Sequence, residues 1–305
     1  MRIATNTFVQ STVSRLQNLE NQQQTVQNQL ISGQRINSME EDPTTAARIL
    51  SDQQTQRQLI QYQENSTQAQ GIAQAGYDAL EYLQDLSEQA QSIVDFNAFE
   101  DTDSAVFSVQ IDALIEDALR TANGQYNGDY LFAGTDTAQE PFSLSYTDND
   151  GNAFLNADGD PVQRYVYNGN DSGREIAVAD GVAISPYTDG DTNQSIADFL
   201  NAMLDYSDAV AAGDTAAIKD ASNVVQDAEN VLVDGMSNLS MKQFRMETLE
   251  SSNAAKYSAL SSEVTALRAV DLNEATISML NIQNAYSAAL STTSMVMDTT
   301  ILNYI

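Results

Sequence analysis

The chain has 305 residues, a net charge of −30 and neither cysteine nor histidine. Its length is enough for one or two hydrophobic cores. The two missing residue types exclude disulfides, thiolate nucleophiles, serine–histidine catalysis and histidine-bound zinc or haem within this sequence. Residues 100–235 hold 26 acidic and four basic residues, a net charge of −22, which disfavours binding to nucleic acid or anionic membranes. Carboxylate and lysine chemistry remain open, but we expect a non-enzymatic protein without metal or cofactor.

Two seams of apolar residues with helical spacing lie near the two ends of the chain. In the first, Leu16, Leu19, Gln23, Val26 and Leu30 are spaced 3, 4, 3 and 4 residues apart. The second seam has the same heptad-like spacing and comprises Ala275, Met279, Ile282, Tyr286, Ala289, Thr293 and Val296. Both patterns are typical of coiled-coil strands.

The polar residues around these seams are mostly uncharged. Residues 269–305 contain no basic residue and only three acidic ones, so their helix would present Gln, Asn, Ser and Thr on its outer side. A charge that is enclosed without a partner costs several kcal/mol, and a helix that is surrounded by copies of itself or its relatives must avoid one. The alternative is an ordinary two-stranded coiled coil within a single chain.

The stretch ISGQRINSMEEDPTTAARI, residues 31–49, interrupts the helical pattern. Gly33 is suited to close the first helix, and Asp42 followed by Pro43 is a helix-start signal. We predict an elbow formed by Gly33, Arg35, Ile36, Asn37, Asp42 and Pro43. Acid–base chemistry at residues 40–42 is disfavoured, because consecutive carboxylates do not converge on one point.

Further helices are predicted at about 45–96, at 103–123 with Asp101 or Asp103 as N-cap, from Ser195, and at about 214–270. Between them, residues 124–190 hold nine of the 14 glycines and three of the four prolines. Here RYVYN and REIAVA predict a hairpin around GNDSG, and DNDGN or NADGD predicts a second. The last two loops lack the spacing of a calcium loop that begins at Asp148, since Ala153 and Gly159 replace the required glycine and glutamate.

The predicted fold class is mainly α: a long antiparallel helical rod with a terminal coiled coil and a small inserted β-rich domain. Three domains are predicted: residues 1–42 with 271–305 as terminal coiled-coil polymerisation segments, 43–140 with 195–270 as the helical rod, and 141–194 as the β-rich outer domain. The first residues, MRIATNTFVQS, lack the apolar core of a secretory signal, and no run of 18 apolar residues occurs.

Several short segments of the sequence resemble the flagellin superfamily. LISGQRINSMEEDPTTAARI is similar to a pattern shared across the superfamily. Within it, MRIATNTF, Pro43 followed by the Ala-Ala-Arg run, YNGDYLFAGTDT and the last residues, TTILNYI, resemble its hook–filament junction branch, of hook-associated protein 3 type, more than filament flagellin. SMKQFRMETLE departs from a motif found late in the family, because Met241 and Met246 occupy unusual places.

The resemblance implies a structural protein of the bacterial flagellum that joins the hook to the filament. It implies export without a cleaved signal, and terminal segments that fold on assembly. The implied partners are further copies in a ring, a larger hook-associated junction protein, filament flagellin and an export chaperone, with no nucleic acid and no membrane insertion. We expect assembly through Leu16, Leu19, Val26, Leu30, Met279, Ile282, Tyr286, Ala289 and Val296. The alternatives are a short filament flagellin and, more remotely, an adhesin or hydrolase carried on the β-rich insert.

Overall fold

The computed structural model describes residues 2–94, 104–156 and 159–302, and the chain forms two compact units. Unit 1 comprises residues 1–58 and 255–305, and unit 2 comprises residues 59–254. In chain order, the elements are α1 (Arg2–Ser32), α2 (Pro43–Ile93), α3 (Ser104–Ala122), β1 (Gln125–Tyr126), β2 (Asp129–Tyr130), β3 (Phe142–Ser145), β4 (Arg164–Tyr167), β5 (Ile176–Ala179), β6 (Val182–Ile184), α4 (Gly190–Ala212), α5 (Thr215–Arg268) and α6 (Leu272–Leu302).

The predicted mainly α class with a small β segment is confirmed, and the helix boundaries agree closely with the periodicity of the sequence. The predicted N-caps Asp101 and Asp103 lie outside the described residues. The division into three domains stays a prediction.

In unit 2, α2 and α5 run antiparallel, as their side-chain pairs show. The Ser66 hydroxyl donates to the Met246 carbonyl, whereas Ser87, further along α2, donates to Glu229, which lies earlier in α5. Between the helices lies one core of fully buried side chains, which includes Leu80, Leu83, Ile111, Ile196, Phe199, Leu200, Met203 and Tyr206. Phe132, Phe142, Tyr167 and Val178 from the β segment belong to the same core. The strands of unit 2 are thus fixed by the helices that they cover.

One of the two predicted hairpins forms: β3 and β4 pair across the segment that contains DNDGN and NADGD, and the other hairpin does not form. β4 pairs with β3 and β5 with β6, all antiparallel, so the predicted hairpin of RYVYN with REIAVA is wrong. The segment between β4 and β5 is bound to the loop that contains Thr135, whose backbone N–H donates to Asn170 Oδ1 at 3.1 Å. Asn170 is thereby fixed against a distant loop, and the chain does not fold back on itself there.

The loops DNDGN and NADGD both make the predicted tight turns, within the connection from β3 to β4. In the first, Asn152 N–H donates to Asp148 Oδ1 at 2.7 Å and Asp148 N–H to the Asn152 carbonyl at 2.9 Å. In the second, Asp160 N–H donates to Asn156 Oδ1 at 2.8 Å and Asn156 N–H to the Asp160 carbonyl at 2.9 Å. The acidic and amide side chains of these loops therefore serve the turns.

Two asparagine side chains bind the outer edges of the β3–β4 pair. Phe142 N–H donates to Asn123 Oδ1 at 3.0 Å, and Asn123 Nδ2 donates to the Phe142 carbonyl at 2.9 Å. On β4, Tyr165 N–H donates to Asn201 Oδ1 at 2.8 Å, and Asn201 Nδ2 donates to the Tyr165 carbonyl at 2.9 Å. Each carboxamide thus satisfies one backbone donor and one acceptor that a neighbouring strand would otherwise satisfy.

Candidate assembly surface

A short backbone bridge connects the segment that follows α1 to the segment that precedes α6. Gln34 and Ala269 form an antiparallel bridge, in which Arg35 N–H donates to the Arg268 carbonyl at 2.6 Å. α1 ends immediately before the bridge, at Ser32. Gly33 has a φ of 68°, a left-handed conformation that glycine adopts easily and that commonly ends a helix. Because α6 begins just after the bridge, α1 and α6 run antiparallel and pack along each other.

The start of α2 is fixed by the polar residues of the predicted elbow. Asp42 accepts hydrogen bonds from the Thr45 N–H at 3.1 Å and the Thr45 hydroxyl at 2.7 Å, and Pro43 is the first helical residue. These bonds, and to a smaller extent Arg35 at 3.5 Å, lower the pKa of the Asp42 carboxyl. Asn37 N–H donates to the Glu41 carboxylate at 2.8 Å. The acidic run therefore caps the helix and closes the turn.

One apolar side chain anchors this turn to the helices below it. Ile36 is buried against Ile49 of α2 and Val264 of α5, with Leu267 packed beside them. Arg48 also makes an ion pair with Glu263 between the same two helices. All six predicted elbow residues thus lie between α1 and the start of α2, and the proposal that they act as an elbow stays a prediction.

The predicted seam residues line the inner side of the α1–α6 pair. Half-buried side chains alternate with exposed neighbours at Leu16, Leu19, Gln23, Val26 and Leu30 on α1, and at Met279, Ile282, Tyr286, Ala289 and Thr293 on α6. Ala275 is buried. Val296 lies within α6, but its side chain is outside the described part of the chain. The seams therefore face each other within one chain, and their role between chains stays a prediction.

A second apolar face lies on the opposite side of α6 and is open to solvent. Ile277 is 60% exposed, Leu280 is 55% exposed and Met295 is 69% exposed, with Ala288 between them. This face repeats at helical spacing, on the side of the helix opposite the seam residues. Its positions are 277, 280, 284, 288, 291 and 295. On α1, Ile31 is 78% exposed. A helix that is apolar on two faces is typically enclosed by other helices.

Sequence reasoning found the inner seam and missed this outer face. The signal was present as the spacing 3, 4, 4, 3 and 4 from Ile277 to Met295, but Asn284 and Ser291 interrupt it. The sequence pattern therefore favours a polar outer surface, although four of these six positions are apolar.

A concave surface of unit 2 is lined mainly by polar side chains. In unit 2, a groove of about 680 Å³ lies between α2 and α5, where Gln70 donates to Glu250 at 3.2 Å and Gln243 to Gln74 at 3.0 Å. Among the described residues, no three acidic side chains are grouped so that they could hold a metal ion. The described helices include none that is long and apolar enough to cross a membrane.

The fold and the exposed face of α6 together define a class of protein: a mainly helical chain whose paired terminal helices carry an exposed apolar surface. Comparison with known families gives the class its family. Residues 3–137 match the bacterial flagellin N-terminal helical region. This part of the chain is similar to that family, and the predicted resemblance to the flagellin superfamily is confirmed. A comparison with curated protein sequences gave no match.

One solved structure shares the fold, and two others are more distantly similar. A Vibrio parahaemolyticus protein described as flagellar hook-associated is 16% identical, with a TM-score of 0.62 over 75% of this chain and 100% of that one. FlgL of Bacillus cereus is 18% identical, with a TM-score of 0.47 over 73% of this chain and 100% of its own. The flagellar junction protein FlgL of Legionella pneumophila is 15% identical, with a TM-score of 0.45 over 72% and 99%. The Vibrio structure alone of these three is near enough to support the shared fold.

Proposed function

We propose that this chain is a structural subunit of the bacterial flagellum that joins the hook to the filament and assembles through α1 and α6. The observation that carries the proposal is the outer face of α6, where Ile277, Leu280 and Met295 are more than half exposed. Exposed apolar surface of this kind marks a protein contact. Residues 269–305 contain no basic and only three acidic residues, so few charges would have to be buried when other helices enclose α6.

The flagellin N-terminal match and the fold shared with a hook-associated protein support a flagellar role. In that role the chain is a structural part, not an enzyme. Its partners are further copies of itself in a ring, a larger hook-associated protein on one side and filament flagellin on the other, with an export chaperone before assembly. The chain then works outside the cell, on the flagellum, after export without a cleaved signal.

The choice of a junction subunit over a short filament flagellin depends on whether growth stops. A junction subunit adds to the hook in a limited number of copies, whereas a flagellin adds without limit. Pro43 and the Ala46–Arg48 run favour the junction branch on sequence, and both proteins would use the same terminal helices.

The test is electron microscopy of purified hooks that carry the larger hook-associated protein and are incubated with the full chain. We expect a short collar of added density at the hook end and no further growth. A matched chain that ends at Asp271 lacks α6 and should add no collar. Long filaments would assign the chain to the short flagellins, and a collar formed by the shortened chain would refute assembly through α6.

A further inference from the structure

The acidic charge of this protein is divided very unequally between its two compact units. Unit 1 contains nine acidic and seven basic residues, a net charge of −2. Unit 2 contains 34 acidic and six basic residues, a net charge of −28. The unit with the proposed assembly surface is thus nearly neutral, and the other unit carries almost the whole charge.

The few basic residues of unit 2 are largely occupied inside it. Arg164 pairs with Asp205, Arg174 pairs with Asp129 at 2.9 Å, and Lys242 donates to the Tyr187 carbonyl at 2.6 Å. These cations hold the unit together, so they are poorly placed to receive carboxylates from a neighbouring copy. A second copy of unit 2 would therefore meet a surface of its own sign.

Neighbouring charges also affect the pKa of one carboxyl group inside unit 2. The pKa of Asp208 is raised, first by burial and then by the neighbouring Asp205, while Arg164 opposes the rise. By contrast, the edges of the β3–β4 pair are bound by the neutral carboxamides of Asn123 and Asn201. At these two edges the strands are thus bound by uncharged groups.

Assembly through α1 and α6 brings copies of unit 2 together. Packed helices lie about 8–10 Å apart, so neighbouring α1–α6 pairs stand roughly 20 Å from each other, and each carries its unit 2 through the chain at residues 58–59 and 254–255. The Debye length is about 30 Å at 0.01 M salt and about 8 Å at 0.15 M. Charges at this spacing repel strongly in dilute salt and weakly in concentrated salt.

We infer that screening cations are a required component of assembly: copies join through the nearly neutral unit 1 only when cations neutralise enough of the charge on unit 2. The inference depends on the proposed assembly through α1 and α6. It gives the large acidic charge a role, since the subunit stays dispersed in dilute salt and becomes competent to assemble in concentrated salt.

The experiment measures the protein concentration that is needed for half-assembly of the full chain, by light scattering and sedimentation, from about 10 to 500 mM NaCl. Circular dichroism at each salt concentration confirms that the chain remains helical. We expect the required concentration to fall at least ten-fold across this range. An equal concentration at both extremes would overturn the inference. An absence of assembly at every salt concentration, on hooks as well as in solution, would instead overturn the proposed function.

A neutralised variant separates charge screening from a general effect of salt on apolar surfaces. Six exposed carboxylates of unit 2 are replaced by their amides, and a matched control exchanges Asp for Glu, and Glu for Asp, at the same positions, which keeps the charge. The neutralised variant should reach half-assembly at no more than about half the salt concentration of the control, because its repulsion is weaker. Identical salt dependence of the two would contradict the inference. The substitutions are Glu140→Gln, Glu175→Gln, Asp180→Asn, Asp220→Asn, Asp227→Asn and Asp234→Asn.

Discussion

Replacing the apolar side chains of the outer α6 face should weaken assembly and leave the single chain folded. We consider the double variant Ile277→Ser with Leu280→Ser. Both side chains are more than half exposed in the single chain, at 60% and 55%, so their removal takes little from its core. In the assembly they would be covered by a neighbouring helix, and the variant loses that burial.

The expected size of the effect follows from these exposed fractions. Full burial of an isoleucine or leucine side chain contributes about 1.5–3 kcal/mol. Covering the exposed 55–60% of each is therefore worth about 1–1.5 kcal/mol. The two together contribute about 2–3 kcal/mol to each contact between copies, which corresponds to roughly a 30–150-fold increase in the dissociation constant.

The assay compares the concentration for half-assembly with the thermal unfolding midpoint of the unassembled chain. Assembly should shift by the stated factor, whereas the unfolding midpoint should stay within about 2 °C of the parent chain. The matched control is Leu144→Ser with Leu155→Ser, which removes two leucines from unit 2 that are 43% and 58% exposed. If the α6 variant assembles at the parent's concentration, or if the control is impaired equally, the assignment of the assembly surface to α6 is refuted.

Three further outcomes are expected for the single chain. Because the pKa of Asp208 is raised, Asp208→Asn should stabilise the fold by about 0.5 kcal/mol at neutral pH; in denaturant titrations this gain should disappear below the ordinary pKa of aspartate, where the parent side chain is also neutral. Asn123→Asp and Asn201→Asp should each lower the free energy of unfolding by about 1–3 kcal/mol, since a carboxylate leaves the strand carbonyl without its donor, and Asn→Gln controls that lose as much would point to shape instead. Gly33→Ala should lower the free energy of unfolding by about 1–2 kcal/mol. The cause is the left-handed backbone alone, because a Cβ at this position meets no atom within 4 Å. Gly33→Asn should lower the free energy of unfolding less, and equal losses of the two variants in thermal unfolding would contradict this cause.

Helix positions were predictable from the sequence because their signals are local. Asp42 and Pro43 mark the start of α2 through backbone chemistry within one turn, and Gly33 marks the end of α1 through its free φ. Such signals depend on the nearest few residues. Their outcome therefore changes little with the tertiary structure around them.

The hairpin of RYVYN with REIAVA was predicted wrongly because the decisive contacts of this segment are distant in sequence. RYVYN and REIAVA are near neighbours in the chain, and the local pattern favours a hairpin between them. In the structure, Asn170 is instead hydrogen-bonded to Thr135, 35 residues earlier, and β4 pairs with β3. No local pattern in the sequence encodes that contact.

The assembly surface was half predictable for a related reason. The inner seam is a strong heptad-like repeat, whereas the outer face of α6 becomes visible only when the inner face is known to be occupied by α1. Exposure separates the two sets: Ile282 is half-buried and Ile277 is mostly exposed, although both are isoleucines in the same helix.

If the chain assembles with copies of itself as proposed, the carboxamides on β3 and β4 have a further consequence. Crowded identical chains with open strand edges are prone to join edge to edge into continuous sheets, which grow without limit and are hard to reverse. Asn123 and Asn201 already occupy a backbone donor and acceptor on each edge. Misassembly by strand addition is thereby hindered, and contacts between subunits are left to the helices, whose packing can be ordered and finite.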